Sequence, residues 1–483
     1  MRELTTDVAI IGAGTAGANA RREVDRAGKR WLLIEARDYG TTCAKVGCMP
    51  SKLLIAAAEA AHAARTAGQF GIAIAPAAIQ VDGPAVMARV QRERDRFARL
   101  TSEEVEKLPA EQRLAGEARF VGPTELIVSE GGRDHTRVRA SAVVIATGSR
   151  PIVPPDLLPL TEAVLTTDSV FELPDLMRSV AVFGTGAIGL ELGQALHLLG
   201  VRVVFYNPKD ELGSFSDPEI DRRFREHMHV QHTIHLGYKD FSVQRAGDGY
   251  VVRHRDPQGQ QHEARVERLL SAAGRQPNVD RLALDKAGVA LDDRKAPRFD
   301  PETMQCGELP IFIAGDAAAN GSVLHEAVDE GAIAGANAAR YPQVDRRPRR
   351  VPLRIGFTQP RIATLGKRHA EVSRESTVIG AASYADQGRA RVIGQTVGHV
   401  RVYVERATRA LVGAELFGPG VEHSAHLLAW AVQAGTSLHD LLRMPVYHPT
   451  LEEGIRTALR DAAKQLELEN DCAPADRGWS SGT

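Results

Sequence analysis

Two stretches of the chain repeat one pattern of apolar and polar positions. The apolar run Asp7 to Ile11 leads into the glycine-spaced loop Gly12-Ala13-Gly14-Thr15-Ala16-Gly17, then a helical stretch through Arg26 and a second apolar run, Trp31 to Ile34. The order returns at Ser179 to Phe183, followed by Gly184-Thr185-Gly186-Ala187-Ile188-Gly189 and the helical run Leu190 to Leu199. An internal repeat says more than either copy alone. Short runs punctuated by glycines predict parallel strands joined by helices. Between the copies, Leu53 to Arg65 is Ala-rich and helical. Val86 to Leu108 carries Arg89, Glu93, Arg96 and Glu103 at helical spacing, as a solvated face laced with ion pairs does. Alternation around Glu117 to Ser129, with turns at Gly122-Pro123 and Gly131-Gly132, predicts a β-meander that ends in the buried run Ala142 to Ala146. Beyond the Pro- and Arg-rich linker Arg346 to Pro352 the pattern changes to alternating strands, His399 to Val404 and Ala410 to Leu416, around the helical runs Val421 to Ala434 and Leu451 to Leu466. The last residues, from Asp471, are polar with Pro, Gly and Ser, and predict a disordered tail.

A chain of 483 residues is long enough for about three domains. Sixty Lys and Arg against 61 Asp and Glu leave no basic field for nucleic acid or an anionic membrane. The first strand pattern begins by Asp7, leaving no room for a signal segment, and no apolar run is long enough to span a bilayer. A cytoplasmic protein is therefore expected. Of four cysteines, Cys306 and Cys472 are isolated, which excludes a disulfide scaffold.

Each glycine loop, in its strand-to-helix context, is a dinucleotide-binding fingerprint. The glycines allow a tight turn and close approach of backbone to a pyrophosphate, which rests on the helix N-terminus. Eighteen residues past Gly17 stands Glu35, whose carboxylate can accept from the ribose hydroxyls of an adenosine. The same count past Gly189 reaches Asn207. A neutral amide bonds a ribose hydroxyl but does not repel a 2′-phosphate, and Lys209 adds attraction, so NAD is expected with NADP still admitted.

The chemistry-bearing stretch is Gly40-Thr-Thr-Cys43-Ala-Lys-Val-Gly47-Cys48-Met-Pro50-Ser-Lys52. Residues five apart on an ideal helix have Cα atoms about 8.6 Å apart, beyond disulfide reach. The segment must therefore tighten locally, with Gly47 permissive and Pro50 suited to a first helical turn. Cys48 then lies near a helix N-terminus, where the dipole favours a thiolate. Half of a zinc site is the competing reading, weakened by the missing second pair.

These residues resemble the active-site motif of the flavin-dependent class I pyridine nucleotide-disulfide oxidoreductases, which include lipoamide dehydrogenase, glutathione reductase and mercuric reductase. The resemblance continues through Ala146-Thr147-Gly148, Gly274-Arg275-Gln276-Pro277-Asn278, Ala314-Gly315-Asp316, Leu324-His325-Glu326-Ala327 and Tyr447-His448-Pro449-Thr450-Leu451-Glu452-Glu453, covering Asp7 to about Leu468. It implies an α/β fold with two Rossmann-like domains and a C-terminal α+β dimerisation domain. The expected division is 1–150 and 273–345 for FAD, 151–272 for the nicotinamide nucleotide, 351–470 for dimerisation and 471–483 as tail. It also implies a redox disulfide between Cys43 and Cys48, with Cys48 facing the flavin, Cys43 exchanging with substrate and Lys52 near the flavin's reactive edge. Glu191 corresponds to the glutamate near the nicotinamide and that lysine; its competing reading is a helix-surface carboxylate. Asp316 would hold the ribityl chain or phosphate, against a plain turn aspartate, and His325 fits the flavin-side helix.

His448 would be the acid/base, oriented by Glu453, and would act on the partner subunit's dithiol. Thr450 and Glu453 also fit a capping box. Two departures from the family stand out: Arg361, in Phe357-Thr-Gln-Pro-Arg361-Ile-Ala363, replaces an acidic residue in the expected opening strand of the last domain, and Cys472 is alone where mercuric reductases carry a pair. The expected function is that of a homodimeric FAD enzyme most like dihydrolipoyl dehydrogenase, acting on a small-molecule or lipoyl-protein disulfide. The alternatives are an NADPH-dependent reductase of glutathione or another small disulfide, and a flavoprotein interaction subunit of a larger complex.

Overall fold

The computed structural model describes residues 1–293, 295–321 and 323–468; the expected tail, with Cys472, lies outside the described residues. The first strand, Arg2–Ile11, is longer than its apolar stretch, because Arg2 to Thr6 continue the parallel ladder against residues 136–140 of Arg133–Ile145. That partner strand is both the last strand of the meander and the buried centre of the nucleotide sheet. It pairs antiparallel with Glu125–Glu130 and parallel with Ile311–Ile313. The sheet runs Arg113–Ala115, Trp31–Glu35, Arg2–Ile11, Arg133–Ile145, Glu125–Glu130, Glu117–Gly122. Helices Thr15–Arg26 and Leu324–Arg340 cross closely, since a Cβ on Gly331 or Gly335 would run into the carbonyl oxygen of Ala16 or Ala20.

The second unit repeats the arrangement in a parallel sheet ordered Thr233–Leu236, Arg202–Asn207, Ser179–Phe183, Arg268–Ser271, Val164–Leu165, with helix Ala187–Leu198 against it. A three-stranded antiparallel sheet, Lys239–Ala246, Gly249–Arg255 and Gln261–Val266, is inserted between its strands Thr233–Leu236 and Arg268–Ser271. The chain crosses between the units at Ser149–Pro151 and returns at Arg275–Pro277, and these two segments pair antiparallel. Helices Cys48–Thr66 and Gly83–Glu106 precede the second unit in sequence yet share its core: Leu54, Ile55, Met87 and Val90 pack with Val180, Val182 and Leu192. This packing brings the cysteine segment against both units.

The C-terminal part is an antiparallel sheet ordered Leu353–Gly356, Arg361–Gly366, Leu411–Gly418, His399–Glu405, Thr377–Ser383, packed by helices Val421–Gln433 and Glu453–Gln465. Of the opening strand expected at Phe357 to Ala363, Arg361 to Ala363 do begin Arg361–Gly366, but Phe357 to Pro360 are a break that separates it from Leu353–Gly356. Pro360 has no amide to give a ladder, and the Phe357 and Gln359 amides donate to Glu191 and Gln194 at 2.7 and 2.5 Å. The arginine linker is clamped rather than loose: Arg346 pairs with Asp300 and Glu302, and Arg349 with Asp329 and Glu330. No described helix is long and apolar enough to cross a membrane.

Candidate active site

The glycine loops come out nearly superposable in their local demands. Gly12 and Gly184 have φ of +109° and +111°, and a Cβ on either would meet the carbonyl oxygen of Ala146 or Ala272 in the next strand's turn. A Cβ on Gly17 or Gly189 would strike the carbonyl of Gly12 or Gly184, so these two set how closely helix lies on strand. Gly14 and Gly186 face open space at helix N-termini that no side chain caps. Those free amides are donors for a pyrophosphate.

The acid and amide that follow the second strands also occupy equivalent places. Glu35 accepts from the Ala13 amide at 2.8 Å and the Arg37 amide at 3.0 Å. Asn207 donates to Thr185 Oγ1 at 2.7 Å and the Glu211 carbonyl at 3.1 Å, and accepts from the Lys209 amide at 3.0 Å. Each side chain thus ties its loop to its second strand, and the Asn207 amide hydrogens are already engaged there.

The cysteine segment is built differently from a single tightened helix. Thr41 caps a one-turn helix, Thr42–Lys45, by accepting from the Ala44 amide at 3.2 Å. The chain then breaks at Val46 and Gly47, and Cys48 opens the helix Cys48–Thr66 with Pro50 in its first turn. Gly47 acts through close approach, not through a left-handed φ: its φ is −121°, and a Cβ there would sit 3.1 Å from the Thr42 oxygen and 3.3 Å from the Cys43 Cα. The break folds the two side chains together, with the Cys43 thiol donating toward the Cys48 sulfur.

The two sulfurs are electrostatically unequal. The Cys43 contact and the Lys52 ammonium bring the Cys48 thiol down to about 7 against the opposing effect of burial, while the Cys48 contact and burial push Cys43 up. Cys48 at the first helical position also feels the helix dipole. Cys306, buried alone, is pushed up to about 12 and is chemically quiet.

Lys52 lies one turn on from Cys48 and pairs with Glu191 at 2.7 Å. Glu191 is only 6% exposed and also accepts from the Phe357 amide, so the surface-carboxylate reading fails. The Lys52 ammonium lies over the Phe357 ring, 4.7 Å from its centroid.

One cleft of about 250 Å³ joins these parts: Gly14, Cys43, Cys48, Lys52, Gly148, Ile188, Glu191, Arg275 and Asp316 all line it. Asp316 accepts from Ser149 Oγ at 2.6 Å, and Arg275 donates to the same hydroxyl at 2.7 Å and to the Ser149 carbonyl at 2.9 Å. Thr147 Oγ1 is buried beside it with no hydrogen-bond partner. An orphaned hydroxyl, uncapped helix amides and a wall of small residues fit an elongated phosphate-bearing cofactor such as FAD. Bound there, FAD supplies a two-electron carrier between a thiol pair and a nicotinamide.

Several expected residues do not line the cleft, among them Glu35, Asn207, Gly274 and His325. His325 is exposed on the helix Leu324–Arg340, whose Leu324 and Ala327 face the cleft instead. Gly274, at φ +105°, makes the turn that delivers Arg275, and its carbonyl accepts from the Ile152 amide. Sequence reasoning passed over Arg275, although it stood inside a motif already singled out, and also Ser149 and Glu330. Glu330 is 1% exposed, accepts from the Gly315 amide at 2.8 Å and from Arg349 at 2.9 Å, and burial pushes its carboxyl up to about 7.

His448 Nδ1 lies 3.0 Å from Glu453 Oε1, and Glu453 Oε2 accepts from the Thr450 amide at 3.0 Å. One carboxylate therefore both holds the imidazole and makes half of a capping box. The other half is missing, since the Thr450 hydroxyl donates to the Tyr447 carbonyl. This pair belongs to the C-terminal part, whereas every residue lining the cleft lies between Gly14 and Ala327.

Among known families, the pyridine nucleotide-disulphide oxidoreductases match residues 6–331 and their dimerisation domain matches residues 353–459. A dihydrolipoyl dehydrogenase of Halobacterium salinarum is 30% identical over 95% of this chain and 96% of its own. A mercuric reductase of Streptomyces lividans is 30% identical over 97% of this chain and 98% of its own. In fold, the chain resembles LpdA from Mycobacterium tuberculosis, with a TM-score of 0.80 at 22% identity over 94% of this chain and 99% of the other. Matched through both its nucleotide-binding and its dimerisation segments, the chain belongs to the pyridine nucleotide-disulphide oxidoreductase family, an enzyme that uses FAD and NAD(P) to exchange electrons with a disulfide.

Proposed function

We propose that the protein is a dihydrolipoyl dehydrogenase, oxidising a lipoyl dithiol through Cys43 and Cys48 and passing the electron pair on to NAD. The observation that carries this reading is the unequal dithiol placed in one cleft with both nucleotide loops and the Lys52–Glu191 pair. Cys43, on the one-turn helix, exchanges with the substrate thiol. Cys48, held as a thiolate by the helix dipole and Lys52, faces the electron carrier. Lys52, fixed by Glu191, orients that edge of the cleft. Asp316, Ser149 and Arg275 hold the ribityl and phosphate portion of FAD, while Gly12, Gly14, Gly17 and Glu35 take its adenosine diphosphate. Gly184, Gly186, Gly189 and Asn207 do the same for NAD. His448 with Glu453 moves the proton that the thiol exchange requires, across a homodimer interface. A cytoplasmic location accords with a close cysteine pair used for catalysis rather than as a structural cross-link.

Steady-state assays of the purified, FAD-loaded protein test this reading. Oxidation of dihydrolipoamide with NAD is expected to give the highest kcat/KM among dihydrolipoamide, glutathione disulfide and mercuric ion. A second reading, an NADPH-dependent reductase of a small disulfide, is favoured by Asn207 and Lys209, which present no carboxylate to a 2′-phosphate. A higher kcat/KM for glutathione disulfide with NADPH would replace the first reading by the second. Absence of turnover with every pair would leave an interaction subunit.

A further inference from the structure

The arginine that stands at residue 361 reaches out of the C-terminal sheet toward the cysteine helix. Its guanidinium pairs with Glu59 of that helix at 2.9 Å and with Glu422 of helix Val421–Gln433 at 2.7 Å, and lies 5.7 Å from the Phe357 ring centroid. The same ring carries the Lys52 ammonium at 4.7 Å, and the Phe357 amide donates to the carboxylate that pairs with Lys52. Phe357 therefore has two cations near its ring and is tied to Glu191 through its backbone. Arg361 is 25% exposed and Glu422 14%, so the contacts are partly shielded from water.

We infer that Arg361 is a positioning residue: by clamping Phe357 between the C-terminal sheet and the cysteine helix, it fixes the Lys52 ammonium beside Cys48. The inference rests on the reading of Cys48 as the thiolate that faces the flavin. The physical reason is geometric. A planar guanidinium can stack on a ring while its edges bond two carboxylates, which a lysine cannot do. Without that clamp the ring is free to turn, Lys52 loses one of its two supports, and Cys48 loses part of its counter-charge. The groups that act on Cys48 are Cys43, Lys52 and Glu191.

The FAD-loaded dimer reduced to its dithiol form provides the test, read as the pH at which the thiolate-to-flavin charge-transfer absorbance is half lost on acidification. Arg361→Gln is expected to raise that midpoint by about one pH unit, a tenfold change in the thiolate equilibrium. Phe357→Leu, which keeps the arginine, is expected to raise it equally, and the double variant no further, because both act through one contact. Arg361→Lys, which keeps the charge but not the plane, is expected to resemble Arg361→Gln. A wild-type midpoint in Arg361→Lys would show that charge alone acts and would overturn the inference, as would an unshifted Phe357→Leu. If Arg361→Gln fails to fold, Phe357→Leu and Arg361→Lys still decide. If instead the wild-type band is insensitive to Cys48→Ser, the assignment of the thiolate falls, a distinct failure.

Discussion

Cys48 and Cys43 share the Lys52 cation but stand at opposite ends of one hydrogen bond, and this is enough to divide their labour. A thiol brought down to about 7 is partly thiolate at neutral pH, whereas its partner, pushed up by the same contact, stays protonated. In the reduced protein Cys48→Ser is therefore expected to abolish the charge-transfer band near the flavin, and Cys43→Ser to keep it while losing turnover. Absorbance spectra of the two variants settle the roles; a band surviving in Cys48→Ser reverses them. Glu330 illustrates the opposite environment. Its carboxyl is raised above the unfolded value, so its contribution to stability is full below about pH 4.5 and is lost as pH rises toward about 7. Glu330→Gln should remove up to about 3 kcal/mol of that slope, from the size of the shift. Denaturant midpoints measured from pH 4.5 to 7.5 read it, and parallel curves for the two proteins would remove Glu330 as the titrating group. Asn207 offers a third test. Its side chain occupies the place of Glu35 but spends its amide hydrogens on Thr185 and Glu211. Asn207→Glu is expected to sharpen the NAD to NADP ratio of kcat/KM by on the order of tenfold, about 1.4 kcal/mol of coenzyme discrimination. An unchanged ratio would place residue 207 away from the ribose.

At the scale of elements, the kink between Thr42–Lys45 and Cys48–Thr66 makes the site, and Gly47 makes the kink. Gly47→Ala must push the Thr42 carbonyl or the Cys43 backbone aside by a few tenths of an ångström. A cost of about 1 kcal/mol in stability is expected, typical of a crowded substitution, together with a rise in the pH midpoint of the Cys48 thiolate as the thiols separate. Unfolding and spectral titration of that variant would show both; a stable variant with an unmoved midpoint would mean that the helix dipole and Lys52 suffice. The kink was only half legible in the sequence. Spacing required a tightened segment, and Pro50 marked the first helical turn, but whether tightening came by a bond or by a break depends on what packs behind Gly47. The glycine loops were fully legible, because strand, turn, helix and acid each impose a residue type at a fixed count. Phe357 to Pro360 misled for a physical reason, although Arg361 to Ala363 are a strand as expected: an apolar stretch signals burial, and here the Phe357 and Gln359 amides are taken by Glu191 and Gln194 from another domain. Arg275 and Glu330 were illegible for the same cause, since their partners Ser149, Gly315 and Arg349 are distant in sequence.

At the scale of the whole molecule, the cleft and the proposed acid/base, His448, lie in different parts of the chain. The cleft is lined from Gly14 to Ala327, while the His448 imidazole, about half exposed, is held by Glu453 at the start of the last helix. A matched dimerisation domain supplies the means to bring the two together. If His448 serves the dithiol of the partner subunit, each active site contains a cysteine pair from one copy and a histidine from the other. Chains carrying Cys48→Ser or His448→Ala, each inactive as a homodimer, can be co-expressed and the mixed dimer isolated. One of its sites then joins both lesions and the other is intact, so about half of the wild-type activity returns. With sites built within one chain, every site keeps a lesion and no activity returns. A folded, FAD-loaded mixed dimer without turnover would therefore exclude the shared site, and half-activity would require it.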